Sequence, residues 1–148
     1  MSATNAFETG LLQHIFQNAA IANIGDATGL PASATAGSLF VSLHTADPGE
    51  AGAQNTNEVS YTGYARQAVA RSGSGWTVSG NNVSNAASIA FGPCTAGSAT
   101  ITHFGIGTAS TGTGNLLFKG ALTSSISVTT SSNATQTFAI GALDVDVD

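Results

Sequence analysis

From Ser38 onward the chain never runs far without a glycine, serine, asparagine or proline, and the stretches between these breaks are rich in β-favouring residues. A long helix needs an unbroken 3.6-residue apolar period, and none is available there. Short strands separated by recurring turn signals belong instead to antiparallel sandwiches and barrels. The pattern predicts strands near 38–45, 61–71, 75–79, 86–92, 99–107, 115–122, 125–130 and 135–147. The run Ala99-Thr-Ile-Thr-His-Phe-Gly-Ile-Gly107 is nearly continuous in apolar and β-favouring types, which suits a central strand. Asp47-Pro48-Gly49 sets a turn, because proline fixes φ and glycine accepts positive φ. The Gly/Thr/Ser stretch 108–115 lacks apolar anchors and is expected to be an exposed, mobile loop.

One segment departs from this pattern. Phe7, Leu11, Leu12, Ile15 and Phe16 recur at helical spacing, predicting an amphipathic helix over about 5–18, with Asn5 as its cap and Glu8 as capping-box partner. Residues 23–37 then dissolve into Gly, Asp, Thr, Pro and Ala, the composition of a loop. No linker, second domain or internal repeat stands out. The expected architecture is therefore a single mainly β domain, an antiparallel jelly-roll-like β-sandwich over 38–148 carrying one N-terminal helix. At 148 residues the chain is long enough to bury a real core.

The surface implied by the composition is polar but almost uncharged. Asp, Glu, Lys and Arg make up 7% of residues, where about 25% is usual. Such a surface costs little to desolvate against another protein, which leans toward assembly; a secreted or merely Ala/Ser/Thr-rich protein is the plain alternative. The net charge is −5, with Arg66, Arg71 and Lys119 as the cationic side chains. That balance argues against direct nucleic-acid binding and against a basic membrane-surface helix. No apolar run approaches the roughly 20 residues of a membrane span, and the N-terminus does not read as a signal peptide. Cys94 is alone, so no internal disulfide can form and the redox compartment stays open.

Catalytic chemistry finds little support. His14, His44 and His103 are scattered; the first reads as a helix-packing residue, the second as a loop-backbone partner and the third as a core or interface histidine. No Gly-x-Ser-x-Gly elbow is present, and Ser72-Gly-Ser-Gly75 lacks a strand-to-helix setting. Cys94 has no visible base, and one Cys with three separated His offers no zinc spacing. Gly105-Ile-Gly107 and Gly112-Thr-Gly114 are not followed by a helix that could cradle phosphate. No cofactor is expected. Two weaker binding ideas remain. Asp144-Val-Asp-Val-Asp148 places its carboxylates on one strand face, an acidic edge or, if the backbone turned, a calcium site. Tyr61, Tyr64, Arg66 and Trp76 are the residues of a conceivable glycan-binding aromatic surface.

Several segments together resemble small virion proteins of tailed bacteriophages, variously described as head decoration, tail-fibre-like or minor tail proteins. They are Phe7-Glu-Thr-Gly-Leu-Leu-Gln-His-Ile-Phe16, Leu43-His-Thr-Ala-Asp-Pro-Gly-Glu50, Glu58-Val59 with Gly63-Tyr-Ala-Arg66, Thr102-His-Phe-Gly-Ile106, Gly120-Ala-Leu122 and Gly141-Ala-Leu-Asp144. The loop 25–37 and the pair Tyr61-Thr62 depart from that pattern. The resemblance implies a non-enzymatic virion protein, first of all a capsid cement that binds the exterior of the major capsid protein and its own copies, for example as a trimer. A tail-associated or fibre-like protein is the alternative, and a receptor- or carbohydrate-binding module a further one. The contact residues expected on this reading are Phe7, Leu11, Phe16, His44, Asp47, Glu50, Glu58, Tyr64, Arg66, Asp144, Asp146 and Asp148, with Arg66 pairing a carboxylate across a subunit interface.

Overall fold

The computed structural model describes residues 2–131 and 135–147. The fold is mainly β, with antiparallel sheets and one N-terminal helix, as the spacing of turn residues requires. Its elements are α1 (Asn5–Gln17), β1 (Ser38–His44), β2 (Gln67–Ala70), β3 (Trp76–Ser79), β4 (Asn82–Asn85), β5 (Ile89–Ala90), β6 (Ser98–Gly107), β7 (Leu116–Thr129), β8 (Thr137–Phe138) and β9 (Asp144–Asp146). The chain forms two compact units, each assembled from separated stretches.

The first unit comprises the chain up to Ser38, Val69–Ile89 and the residues from Phe138 on. In α1 the buried positions are Glu8, Leu12 and Phe16, one residue per turn on a single face. Phe16 meets Trp76 edge to face, with ring centroids 4.8 Å apart. Thr4, not Asn5, occupies the N-cap, and it makes no side-chain bond, so the expected capping box does not form. The helix ends at Asn18, in the left-handed conformation with φ 56°. The Ala19 N–H reaches back to the Gln13 carbonyl at 3.1 Å, which satisfies one of the last free carbonyls. Trp76–Ser79 and Asn82–Asn85 make a hairpin across Gly80 and Asn81, with Gly80 at φ +64° where the strand twist demands a positive value. β9 pairs with β4 so that Val145 lies opposite Val83.

The second unit comprises Leu39–Ala68 and Ala90–Thr137. Its sheet has the order β2-β1-β6-β7. β1 and β6 are its inner strands, in register from Phe40 opposite Gly107 to His44 opposite His103. Val41, Leu43, Ile101 and Ile106 are almost wholly buried, which accounts for the continuous apolar character of those two segments. β7 pairs with β6 along its length, but with irregularities at Leu117 and at residues 122–125. The two strands expected at 115–122 and 125–130 are thus one strand broken by a bulge.

Three further expectations give way. The strand expected over 61–71 is present only as β2. Gly63 lies at φ +104°, and a Cβ there would strike the Pro93 carbonyl, so the backbone turns where a ladder would need it extended. Of the strand expected over 86–92 only the short β5 is present, and β4, just ahead of it, was not expected. That expected over 135–147 resolves into β8 and β9, separated by a turn in which the Ala142 N–H bonds the Ala139 carbonyl and Gly141 takes φ +72°.

Candidate functional site

Of the polar residues singled out in the sequence, His44, Glu58, Tyr64 and Arg66 come together in the second unit, with His44 and Arg66 buried. Glu58 lies beside the end of β1, bridged to His44. Its carboxylate accepts two bonds from Arg66, from Nε and from Nη2, both at 2.7 Å. This is the bidentate geometry that matches guanidinium to carboxylate. The Tyr64 hydroxyl donates to the same carboxylate at 2.7 Å and accepts the Leu43 N–H at 3.1 Å. Burial raises the phenol's pKa, and its bond to Glu58 raises it further. The Glu58 bond likewise holds the Arg66 guanidinium charged against its burial.

Arg66 has donors left over, and they fix a loop. Nη1 bonds the Ala109 carbonyl at 2.9 Å and Nη2 the Gly112 carbonyl at 2.6 Å. Gln54, fully buried, adds a second brace: Nε2 donates to Phe40 O, and Oε1 accepts the Ala109 N–H. The loop 108–115 is exposed as expected, yet its backbone is held at both sides, not free. Glycine is required at 107 and 114 because the Gln54 amide passes where a Cβ would stand. Gln54 carried no sequence signal, since a glutamine in a polar loop reads as surface.

Ser42 and His44 form a second inward cluster. His44 Nδ1–H donates to the Thr56 carbonyl at 2.8 Å, which leaves Nε2 to accept the Ser42 hydroxyl at 2.9 Å. A serine and histidine at this distance could in principle form a nucleophile and its base. Both are 0% exposed, so no substrate can reach the hydroxyl. Burial also lowers the His44 pKa, favouring the neutral ring. Cys94 is buried too, its thiol directed at the Ala96 and Gly97 carbonyls.

On the outside of this unit, Asp47 accepts the Gly49 N–H at 2.8 Å, an Asx turn that lowers the pKa of its carboxyl. Lys119 lies 3.1 Å from Asp47 and 3.0 Å from Glu50. Beside this trio runs a shallow groove of about 260 Å³ lined by Gly49, Glu50, Gly52 and Leu116, Leu117, Phe118 and Lys119.

The remaining candidates scatter. Phe7 is exposed on α1 and Leu11 half-buried, whereas Phe16 is 0% exposed and belongs to the core of its unit. Phe16, His44 and Arg66 therefore point inward, and Arg66 finds its carboxylate in its own chain. Asp144 and Asp146 share a strand face, where both accept from the Asn82 amide at 3.0 Å. Asp148 lies outside the described residues. Among the described residues no three metal-ligating side chains converge. The aromatic surface is not formed: Trp76 is fully buried, its indole N–H without an acceptor among the described residues, and the buried Tyr61 bonds the Gly92 carbonyl. A hydrophobic strand pattern buries such rings as readily as it displays them.

Arg66, Gln54 and His44 thus brace two loops of the second unit. Among the described residues, no helix is long and apolar enough to cross a membrane. No curated protein matches the chain. A family model does, the one described as Podophage GP4 fiber I protein gp80, over residues 2–146, and the chain belongs to that family.

Proposed function

We propose that the protein is a structural component of a podophage virion, assembled into its tail fibres, where copies of the chain bind one another and neighbouring fibre or tail subunits. The observation that carries this reading is family membership across residues 2–146, which favours the fibre over the capsid-cement role that the sequence first suggested. The interior supports it. Arg66, Glu58, Tyr64, Gln54 and His44 are all consumed in positioning backbone, which suits a rigid scaffold better than a catalyst. The sparsely charged surface supports association with protein, and the net charge of −5 argues against nucleic acid as a partner. The proposal assigns no enzymatic role.

Quantitative mass spectrometry of purified particles, with gold-labelled antibody under the electron microscope, tests the placement. A handful of copies per particle and label on the tail are expected. Hundreds of copies with label over the head would return the protein to the cement role, and absence from the particle would end both readings.

A further inference from the structure

The sheet of the second unit ends in β7, its longest strand at 14 residues, and among the described residues no strand follows β7 in the order. An edge strand presents backbone N–H and C=O groups that invite another strand, and proteins ordinarily blunt it with charge, proline or a cover. Of the protective devices β7 carries the bulge at 122–125, with neither charge nor proline beside it. Residues 123–127 are all exposed, and from Gly120 to Ser131 the chain carries no ionisable side chain and no proline. The nearest charge on the strand, Lys119, is already engaged by Asp47 and Glu50. Residues 122–125 also have no Cα partner in the β6 register.

We infer that β7 is a self-association edge: it pairs antiparallel with β7 of a second copy, about a two-fold axis, and joins two sheets into one. The chemistry of the edge favours its own copy as occupant. A foreign peptide docking by strand addition is selected by pockets for alternate side chains or by charge, and the exposed run Thr-Ser-Ser-Ile-Ser offers neither. Two chains of net charge −5 repel, and a contact without carboxylates on either side is where that repulsion is least. Facing serines and threonines, moreover, form cross-strand hydrogen bonds with their like. A two-fold contact places the same strand on both sides and needs no second surface. One strand pair is a small interface, so the dimer is weak in solution and gains strength only among many tethered copies.

This inference deepens the proposal that copies bind one another, and it is tested on the full chain by sedimentation across rising concentration. Wild-type protein is expected to shift from monomer toward dimer. Thr123→Lys/Ser127→Lys and Thr123→Glu/Ser127→Glu are each expected to lose association at least about tenfold, and their equimolar mixture to regain it. Ser125→Pro, at a position without a register partner on β6, should also block the dimer while keeping the wild-type circular dichroism and melting profile. A monomer at every concentration, undiminished association of the lysine variant, or a mixture that stays monomeric each overturns the edge. Placement in the fibre is judged separately, by copy number and label position on the particle.

Discussion

Each unit is braced from within by one arginine, Arg66 in the second and Arg71 in the first, and the two work by different means. Arg66 is paired: its guanidinium grips the Glu58 carboxylate and spends its remaining donors on the Ala109 and Gly112 carbonyls. Arg71 bonds only carbonyls. Nε reaches Ile15 O and Nη2 His14 O, both at 2.6 Å, and Nη1 reaches Ala36 O at 3.1 Å. His14 and Ile15 lie in the last turn of α1, where unsatisfied carbonyls carry the negative end of the helix dipole. One cation is neutralised by a side chain and the other by a helix terminus. The first is a closed network that fails as a whole; the second is three separable contacts.

That difference sets the sizes of two mutations. Arg66→Ala leaves Glu58 and Tyr64 with an uncompensated buried charge and releases the 108–115 loop. A loss of about 3–5 kcal/mol is expected in denaturant unfolding, with Arg66→Lys restoring little because an ammonium cannot make the paired bonds. Replacing Arg66 and Glu58 together by methionine should cost less than Arg66→Ala alone, since no charge is then stranded. Arg71→Ala should cost less, about 2 kcal/mol, from lost charge-assisted bonds to carbonyls that water can partly satisfy. Its signature is local: faster amide exchange at the end of α1, with the Arg66 cluster unchanged. Equal costs for the two alanine variants would erase the distinction.

A smaller effect probes the polar interior of the second unit alone. Burial lowers the His44 pKa below its ordinary 6.5, so in acid the unfolded chain binds a proton that the folded chain resists. Stability from this group is complete above pH 6.5 and falls as the pH drops through the folded-state value. Midpoints of urea unfolding between pH 7 and 5 should decline, and His44→Gln should flatten the part of the decline that belongs to this ring. A wild-type profile level over that range would mean that the ring tolerates charge, contrary to its burial.

How far the sequence revealed these arrangements depends on the range of each contact. β1, β6 and the Asp47-Pro48-Gly49 turn were legible because their signals are local: a continuous apolar run, or a proline beside a glycine. Residues 61–66 were not. Tyrosines spaced along a segment look like strand, and only the partner Glu58 and the Pro93 carbonyl against Gly63 reveal an irregular path packed inward. Asn85 was invisible for a related reason. It reads as a turn residue, yet it is 1% exposed, donating to Ala87 O and Ala139 O and accepting the Leu143 N–H. Satisfied buried polar groups need partners from distant sequence, and composition does not name them. Arg71 escaped notice likewise, because its three partners are backbone carbonyls, a group every residue has.

Lys119, the third cation, sharpens the comparison from the opposite limit. It sits between Asp47 and Glu50, as Arg66 sits against Glu58, but the Glu50 side chain is 94% exposed and that of Asp47 54%. Water already solvates these carboxylates, so losing the lysine strands no charge in a low dielectric. The pKa directions agree: the paired carboxylates raise the lysine, and Asp47 is lowered first by the Gly49 N–H and only then by Lys119. Lys119→Ala should therefore leave the melting temperature nearly unchanged, and whatever shift it causes should vanish on adding salt to about 1 M, where the screening length falls to about 3 Å. The Arg66→Ala deficit should persist in the same salt. A salt-resistant loss at Lys119 would mean that the trio is shielded from water and that the line drawn here between buried and exposed pairing is misplaced.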